Sequence, residues 1–274
     1  MCETLNISVV IRTRNTEKCF DTLVKNLSLQ TIQASEIVVV NNYSSEEKLR
    51  TFENNLCGIV RKCFRYRKIK LKLATLSDND FSHAYSTNLG VGVAENELVC
   101  VTNAHSLPIS FRWLQDGIKH FEDPSVAGVS GFFIPSRDGS VLGKFDAVIY
   151  YLSQAMILHQ NRFSTINCMI RKSLWEKYPF DEKLPKIIPE TKIYGLEDYD
   201  WSKEMMARGF RIIIDPLFSV FHSHHKSLNE MLRNVRNFFI YRKIQQKINL
   251  FDRPRESFSK VIQARNIALS AKVT

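Results

Sequence analysis

Four β-branched, largely apolar runs separated by helix-patterned segments constrain this chain more than any other feature. Residues 7–13 (ISVVIRT), 36–40 (EIVVV), 68–76 (KIKLKLATL) and 97–102 (ELVCVT) read as strands. Between them, residues 15–30 carry helical spacing through Phe20, Leu23, Leu27 and Gln30. Ser44 and Ser45 stand ready to cap a helix through Leu49 and Phe52, and residues 82–94 read as a further helix. A helix over 111–121 and a strand over 125–133 continue the alternation. Apolar strands separated by helices predict a mostly parallel α/β sheet covered on both faces. Such sheets bind ligands at the carboxyl ends of their strands, where the strand order reverses. Polar residues just after strands are therefore the first candidates for chemistry.

The second half is less regular. Residues 137–143 read as a polar loop, 150–158 as a helix, 163–171 as a strand and 178–195 as a proline-rich, charged loop. Residues 197–207 form a helix ended by Gly209, followed by a strand at 211–214 and an extended stretch at 217–221. From Leu228 the pattern changes. Leu228, Met231, Leu232, Val235, Phe238 and Phe239 fall on one helical face among Arg233, Arg236, Arg242 and Lys243, which predicts a basic amphipathic helix. It packs on the domain or docks on a membrane surface or a second copy. The tail after Pro254 is expected to form a looser helix.

Composition excludes several classes. The 18 Phe and 9 Tyr among 274 residues argue against disorder as the main state. No apolar run approaches the length of a spanning helix, and no targeting segment is visible at the start. The six cysteines make no CxxC pair, so reduced, buried thiols in the cytoplasm are expected rather than a zinc or disulfide framework. A formal charge of +10 attracts nucleic acid, anionic lipid or phosphorylated small molecules. No nucleic-acid module is recognisable, and nucleic acid is not expected as a partner. The basic stretch Arg61, Lys62, Arg65, Arg67, Lys68, Lys70, Lys72 reads as an edge strand guarded by outward lysines, or as a surface for anionic lipid or a charged glycan.

Five polar clusters follow strands: Arg12-Thr13-Arg14-Asn15, Asn41 to Ser45, Thr102 to Ser106, Gly195 to Trp201, and His222 to His225. Each alone is weak, but their order is informative. The segments "SVVIRTRN", "EIVVVNNYSS", "FSHAYSTNLGVGVAENELVCVTNAHSLP", "WLQDGIKHFEDPSVAGVSG", "FSTINCMIRKSLWEKYPFDEKLP" and "GLEDYDWSKEMMARGFRIIIDPLFSVFHSHH" together resemble the family 2 glycosyltransferases of the GT-A fold, over about residues 5–230. The resemblance implies a GT-A domain over 1–225, with a nucleotide-binding half at about 1–108 and an acceptor half at about 109–225. Residues 226–274 would be a C-terminal helical extension.

Sugar transfer needs a base for the attacking hydroxyl, neutralisation of the departing diphosphate, and a nucleotide held for in-line attack. The resemblance makes Asp198 the general base and Glu197 an acceptor-orienting acid; an acid in the first turn of a helix is also favoured by the macrodipole alone. It places Thr13, Arg14, Asn41, Asp80, Asn88 and Asn103 on the nucleotide sugar, and Asn167, Arg171 and Trp201 on the acceptor side. Asn88 is equally suited to bond a neighbouring loop, Arg171 to end a strand in solvent, and Trp201 to pack in the core.

Where relatives carry Asp-x-Asp, this chain has Asn103-Ala104-His105. His105, with His222 and His224, is therefore the expected ligand set for Mn²⁺ or, less readily, Mg²⁺, bound mainly when the donor is present. The resemblance implies an inverting, cytoplasmic hexosyltransferase, at the inner face of the membrane if the basic helix docks there. Its donor would be a UDP-sugar and its acceptor a surface glycan or lipid-linked sugar. The missing acids at 41, 103 and 105 also allow an inactive scaffold that binds a nucleotide sugar or glycan.

Overall fold

The computed structural model describes residues 6–15, 17, 19–65, 69–134, 141, 144, 145, 148, 163–222, 228–255 and 271–273, and at 228–236, 238 and 271–273 the backbone alone. In chain order, β1 (Ile7–Arg14), α1 (Phe20–Ser28), β2 (Glu36–Tyr43), α2 (Glu46–Cys63), β3 (Ile69–Ser77), α3 (His83–Val93) and β4 (Leu98–Asn103) form the first half. There follow β5 (Leu107–Pro108), α4 (Trp113–Ile118), β6 (Val126–Ser130), β7 (Phe133–Ile134), β8 (Asn167–Arg171) and α5 (Lys172–Lys177). The chain continues through α6 (Leu184–Ile187), α7 (Thr191–Tyr194), α8 (Glu197–Ala207), β9 (Arg211–Ile214), β10 (Val220–Phe221), α9 (Leu228–Asn249) and β11 (Ala271–Val273).

The main sheet runs β11-β3-β2-β1-β4-β8-β6-β9. β3, β2, β1 and β4 are parallel, and β8 is antiparallel to both β4 and β6. The order reverses between β1 and β4, so the crevice lies beyond Arg14 and Asn103. A small second sheet, β5-β10-β7, stands beside it.

The continuous apolar runs exist because both faces are buried. Val9 and Ile11 enter one core with Ile37, Val39 and helices α1 and α2, while Val10 enters the other with Val38, Val40 and α3. Each such side chain contributes about 1.5–3 kcal/mol on full burial. Helix α3 lies so close to the sheet that a Cβ on Gly90 would come within 2.4 Å of Val10 Cγ1. Ser45 and Ser82 cap α2 and α3 by accepting from Lys48 N and Tyr85 N.

Several expectations need correction. The helix expected over 15–30 begins only at Phe20, because Asn15 turns the chain with φ +51°. The loop at 178–195 contains the single turns α6 and α7. β3 is not an open edge strand with outward lysines. β11 pairs along it, and Lys72 is buried at 2.7 Å from Glu36 and 2.8 Å from Glu95. Lys70 also pairs with Glu95. Helix α9 runs over Leu228–Asn249; among its described side chains Ile244 and Ile248 are buried, Ile240 is partly buried and Phe239 is exposed, while the other side chains of the expected apolar stripe lie outside the described residues. The segments 137–143 and 150–158 and the tail beyond 255 fall largely or wholly outside the described residues, as do His224 and His225. Among the described cysteines all are free, with Cys100 and Cys168 buried. No described helix is long and apolar enough to cross a membrane.

Candidate active site

Three segments meet at the carboxyl edge of β1 and β4. The first follows β1. Arg12 is the partner of Asn103 in the β1–β4 ladder, and its carbonyl accepts from Ala104 N at 2.9 Å. Its guanidinium donates to Thr87 Oγ1 at 2.8 Å and to the Thr165 carbonyl at 2.9 Å. Beyond it, Asn15 accepts from Asn41 Nδ2 at its carbonyl (3.1 Å) and from Ser44 N at its side chain (3.0 Å), tying the end of β1 to that of β2. Glu17 then turns back. Its Oε1 accepts from Arg14 N at 3.0 Å and from the Thr13 hydroxyl at 3.2 Å.

The second segment follows β4. Glu17 Oε2 lies 2.6 Å from His105 Nδ1. Burial pushes the Glu17 carboxyl up, but the bonds from His105, Arg14 N–H and Thr13 outweigh it and hold the group below its ordinary value. Pairing of β5 with β10 sets Phe221 opposite Leu107, and this register delivers His222 to Ser106. Ser106 Oγ is 2.9 Å from His222 Nδ1, and the His105 and His222 ring centroids are 4.8 Å apart.

The third segment opens α8. Gly195 (φ +71°) and Leu196 (φ +78°) both adopt the left-handed region, so the chain turns sharply into the acid pair. A non-glycine residue held there is strained, a feature that clusters at functional sites. Asp198 Oδ2 accepts from Thr165 N at 3.1 Å, and its Oδ1 from Tyr199 N at 2.7 Å. Thr165 therefore bridges the two sides, with its N–H on Asp198 and its carbonyl on Arg12. Burial raises both carboxyls above the ordinary range. The Asp198 charge raises Glu197 further, and Arg12 opposes the rise in each.

Behind the acid pair, α8 is held by ion pairs. Arg253 reaches Asp200 at 2.7 Å and Glu204 at 3.0 Å; Arg255 pairs with Asp200 and lies 3.3 Å from Asp181. Arg208 joins at 2.8 Å from Glu204.

Glu17 thus links Thr13 to His105, Asn15 holds Asn41, and Arg12 lies beside Asn103 and reaches Asp198 through Thr165, while other expected site residues have their partners elsewhere. Arg14 leaves the crevice to pair with Asp78 at 2.7 Å. Asp80 is exposed on the turn after β3, accepting from Ser77 at 2.9 Å. Asn88 is buried, donating to the Phe180 carbonyl at 2.8 Å and accepting from the Trp175 indole at 2.9 Å; it locks α3 to the loop after α5. Asn167 donates to the Phe218 carbonyl at 2.6 Å inside the core. Arg171, at the far end of β8, binds the carbonyls of Val126, Phe121 and Asp123. Trp201 is 2% exposed and packs on Phe163 and Phe180, so it offers no acceptor surface.

Sequence reading missed Arg12 and Glu17 as site residues. Arg12 shares a face of β1 with buried Val10, and a charge at such a position requires a partner. That signal was available. Glu17 carried none beyond its place after a strand.

Residues 8–177 match the model of glycosyl transferase family 2. The chain belongs to this family. The match ends before Glu197 and Asp198, so the placement of those acids rests on geometry. As a family 2 glycosyltransferase the chain has solved structural neighbours of the GT-A fold. It is similar to the mannosyltransferase PcManGT from Pyrobaculum calidifontis, solved with GDP-Man and Mn²⁺, with a TM-score of 0.59 and 18% identity over 91% of this chain and 66% of that one. It is similar to S. aureus TarS 1–349, solved with UDP, with a TM-score of 0.56 and 18% identity over 92% and 68% of the two chains. It is also similar to glucosyl-3-phosphoglycerate synthase from Mycobacterium tuberculosis, solved with Mn²⁺, UDP-Glc and phosphoglyceric acid (TM-score 0.52, 12% identity, 91% and 81% covered). The chain spans 66% of the length of the mannosyltransferase, a little under two thirds. No curated protein matches its sequence.

Proposed function

We propose that this chain is an inverting glycosyltransferase. It moves a hexosyl group from a nucleotide-sugar donor, a UDP-sugar by preference, to a hydroxyl of a surface-glycan or lipid-linked acceptor. The observation that carries this reading is Asp198: a carboxylate held by two backbone N–H groups, at the same sheet edge as the loop of residues 103–105.

In this account residues of about 1–108 hold the nucleotide. Asn41 Oδ1 is a buried acceptor with no hydrogen-bond partner among the described residues, which suits an N–H donor such as that of uracil. Thr13 and Asn103 frame the crevice. Asp198 takes the proton of the acceptor hydroxyl. That oxygen forms a bond to the anomeric carbon as the bond to the diphosphate breaks, and the diphosphate leaves with the electron pair. One displacement inverts the centre. Glu197, kept protonated by burial and by the Asp198 charge, donates a hydrogen bond that orients the acceptor. The Thr165 and Tyr199 N–H groups, and after them the Arg12 charge, favour the ionised form of Asp198.

The donor set at His105 fits a divalent cation in part. His105 and His222 would hold it, and Glu17 on His105 Nδ1 fixes the tautomer and orientation of that ring. Among the described residues no three His, Cys, Asp or Glu side chains gather closely enough to hold a metal by themselves, so the donor phosphates would complete the shell. When bound, the ion, Mn²⁺ more readily than Mg²⁺ on imidazole, supplies positive charge for the departing diphosphate. A cytoplasmic location belongs to the same proposal.

The absence of acids at 103 and 105 favours one other reading, a scaffold that binds nucleotide sugar without turnover. Incubation with UDP- and GDP-sugars, with and without Mn²⁺, separates the two. Nucleoside diphosphate release above a no-protein blank supports transfer; its absence across the panel, with binding retained, supports the scaffold.

A further inference from the structure

Helix α9 is fixed to the helix that carries the acid pair. Ile244 and Ile248 pack with Leu184, Ile188 and Tyr199, and the Tyr199 hydroxyl donates to Asn249 Oδ1 at 3.0 Å. The Arg253 and Arg255 ion pairs close the same joint from the chain just beyond α9. This wall holds Tyr241 in the field of the acids: burial raises its phenol pKa, and the charges of Asp198, Tyr194 and Glu197 raise it further.

Tyr241 meets Tyr194 edge-to-face, with ring centroids 5.5 Å apart and planes at 79°. Tyr194 is the last residue of α7, directly before the strained turn into Glu197 and Asp198. Tyr241 keeps 37% of its surface open, and Ile193 keeps 76%. The His83 ring also stands near this turn, 3.7 Å from where a Gly195 Cβ would lie, and Phe81 pairs with His83 at 5.2 Å. Exposed and partly exposed rings therefore stand beside the turn that leads into Glu197 and Asp198.

We propose that Tyr241 and Tyr194 form a stacking subsite for a pyranose of the acceptor, so that the group glycosylated is a sugar hydroxyl. The proposal rests on the glycosyl-transfer reading and names its acceptor class. A pyranose has a C–H face that lies on the electron-rich face of an aromatic ring, and stacking removes apolar area of both partners from water. Its hydroxyls at the same time satisfy the two acids beside the rings. An acyl chain on the same tyrosines would cover those acids without supplying a hydrogen bond, which is costly for buried polar groups.

The test uses full-length protein carrying 3-fluorotyrosine, with the Tyr241 ¹⁹F resonance assigned by its loss in Tyr241→Phe. Methyl glycosides of glucose, galactose, mannose and N-acetylglucosamine are titrated with and without UDP and Mn²⁺. At least one is expected to shift the Tyr241 resonance saturably. Tyr241→Ala is expected to weaken that sugar's binding by about tenfold, and Tyr241→Phe, which keeps the ring, by about twofold or less. If no glycoside moves the Tyr241 resonance in either condition, or Tyr241→Ala binds the sugar as tightly as wild type, the subsite is overturned. Hydrolysis of sugar nucleotides by the same wild-type sample keeps the two ideas apart. Hydrolysis without a Tyr241 response removes the subsite alone, and a response without hydrolysis removes the transfer reading alone.

Discussion

Glu17 Oε2 lies 2.6 Å from His105 Nδ1 and so joins the loop after β1 to the loop after β4. The pair restores a carboxylate to the place where Asn103-Ala104-His105 lacks one, at one remove from any ion. Glu17→Gln keeps shape and removes that charge. UDP binding in the presence of Mn²⁺ is expected to weaken about tenfold, the usual range for loss of a ligand's hydrogen-bonded partner. UDP binding without metal should change far less. Calorimetric titration in both conditions checks this, and equal losses in the two would refute the metal-linked role.

Burial raises the Asp198 carboxyl, and the Thr165 and Tyr199 N–H groups, followed by the Arg12 charge, oppose that rise. The pKa stays raised, so the base form is lost as pH falls through a value above the ordinary carboxylate range. The Arg12 charge lowers that value. In Arg12→Gln the acid limb of kcat/KM should move to higher pH, with activity reduced near neutrality and partly recovered in alkaline buffer. Arg12→Lys, which keeps the charge, should shift it less. An unmoved limb in Arg12→Gln contradicts the assignment.

The joint behind α8 is a stability element. Asp200 and Glu204 have side chains only 1% and 3% exposed; Arg253 and Arg255 each pair with both, and Arg208 pairs with Glu204. Replacing both Arg253 and Arg255 by Met removes the two ion-pair partners of the buried Asp200 and should cost about 3–5 kcal/mol in urea unfolding. A loss below about 1 kcal/mol, the level of an exposed pair, would show that the acids are solvated.

Much of the fold could be read from local pattern. The runs around Val9, Val38 and Val99 are apolar at consecutive positions because both faces of β1, β2 and β4 are covered, and Ser82 and Gly209 mark helix ends in ways any sequence shows. The acid pair stood out only through the family resemblance of its segment, since an acid that opens a helix is favoured by the macrodipole alone. What stayed hidden depends on partners distant in sequence. Lys72 sits in an alternating pattern that suggests solvent, yet Glu36 of the neighbouring strand lies 2.7 Å away. β5 and β10 are two residues each, too short for any periodicity, yet their pairing delivers His222 to Ser106. Asn88 and Arg171 carry ligand-like side chains whose partners lie on other elements, the Phe180 carbonyl and Trp175 indole for Asn88 and three backbone carbonyls for Arg171.

The central claim is that Asp198 removes the acceptor proton. Asp198→Asn keeps one oxygen to accept from the Thr165 or the Tyr199 N–H, turns its amide NH2 to the other, and so loses basicity together with one of these two bonds. The decisive measurement is transfer from a UDP-sugar by this variant, alongside UDP affinity by calorimetry. Turnover is expected to fall by about 10²–10⁴-fold, the usual contribution of a general base, with UDP affinity unchanged. Turnover near the wild-type rate would contradict the account.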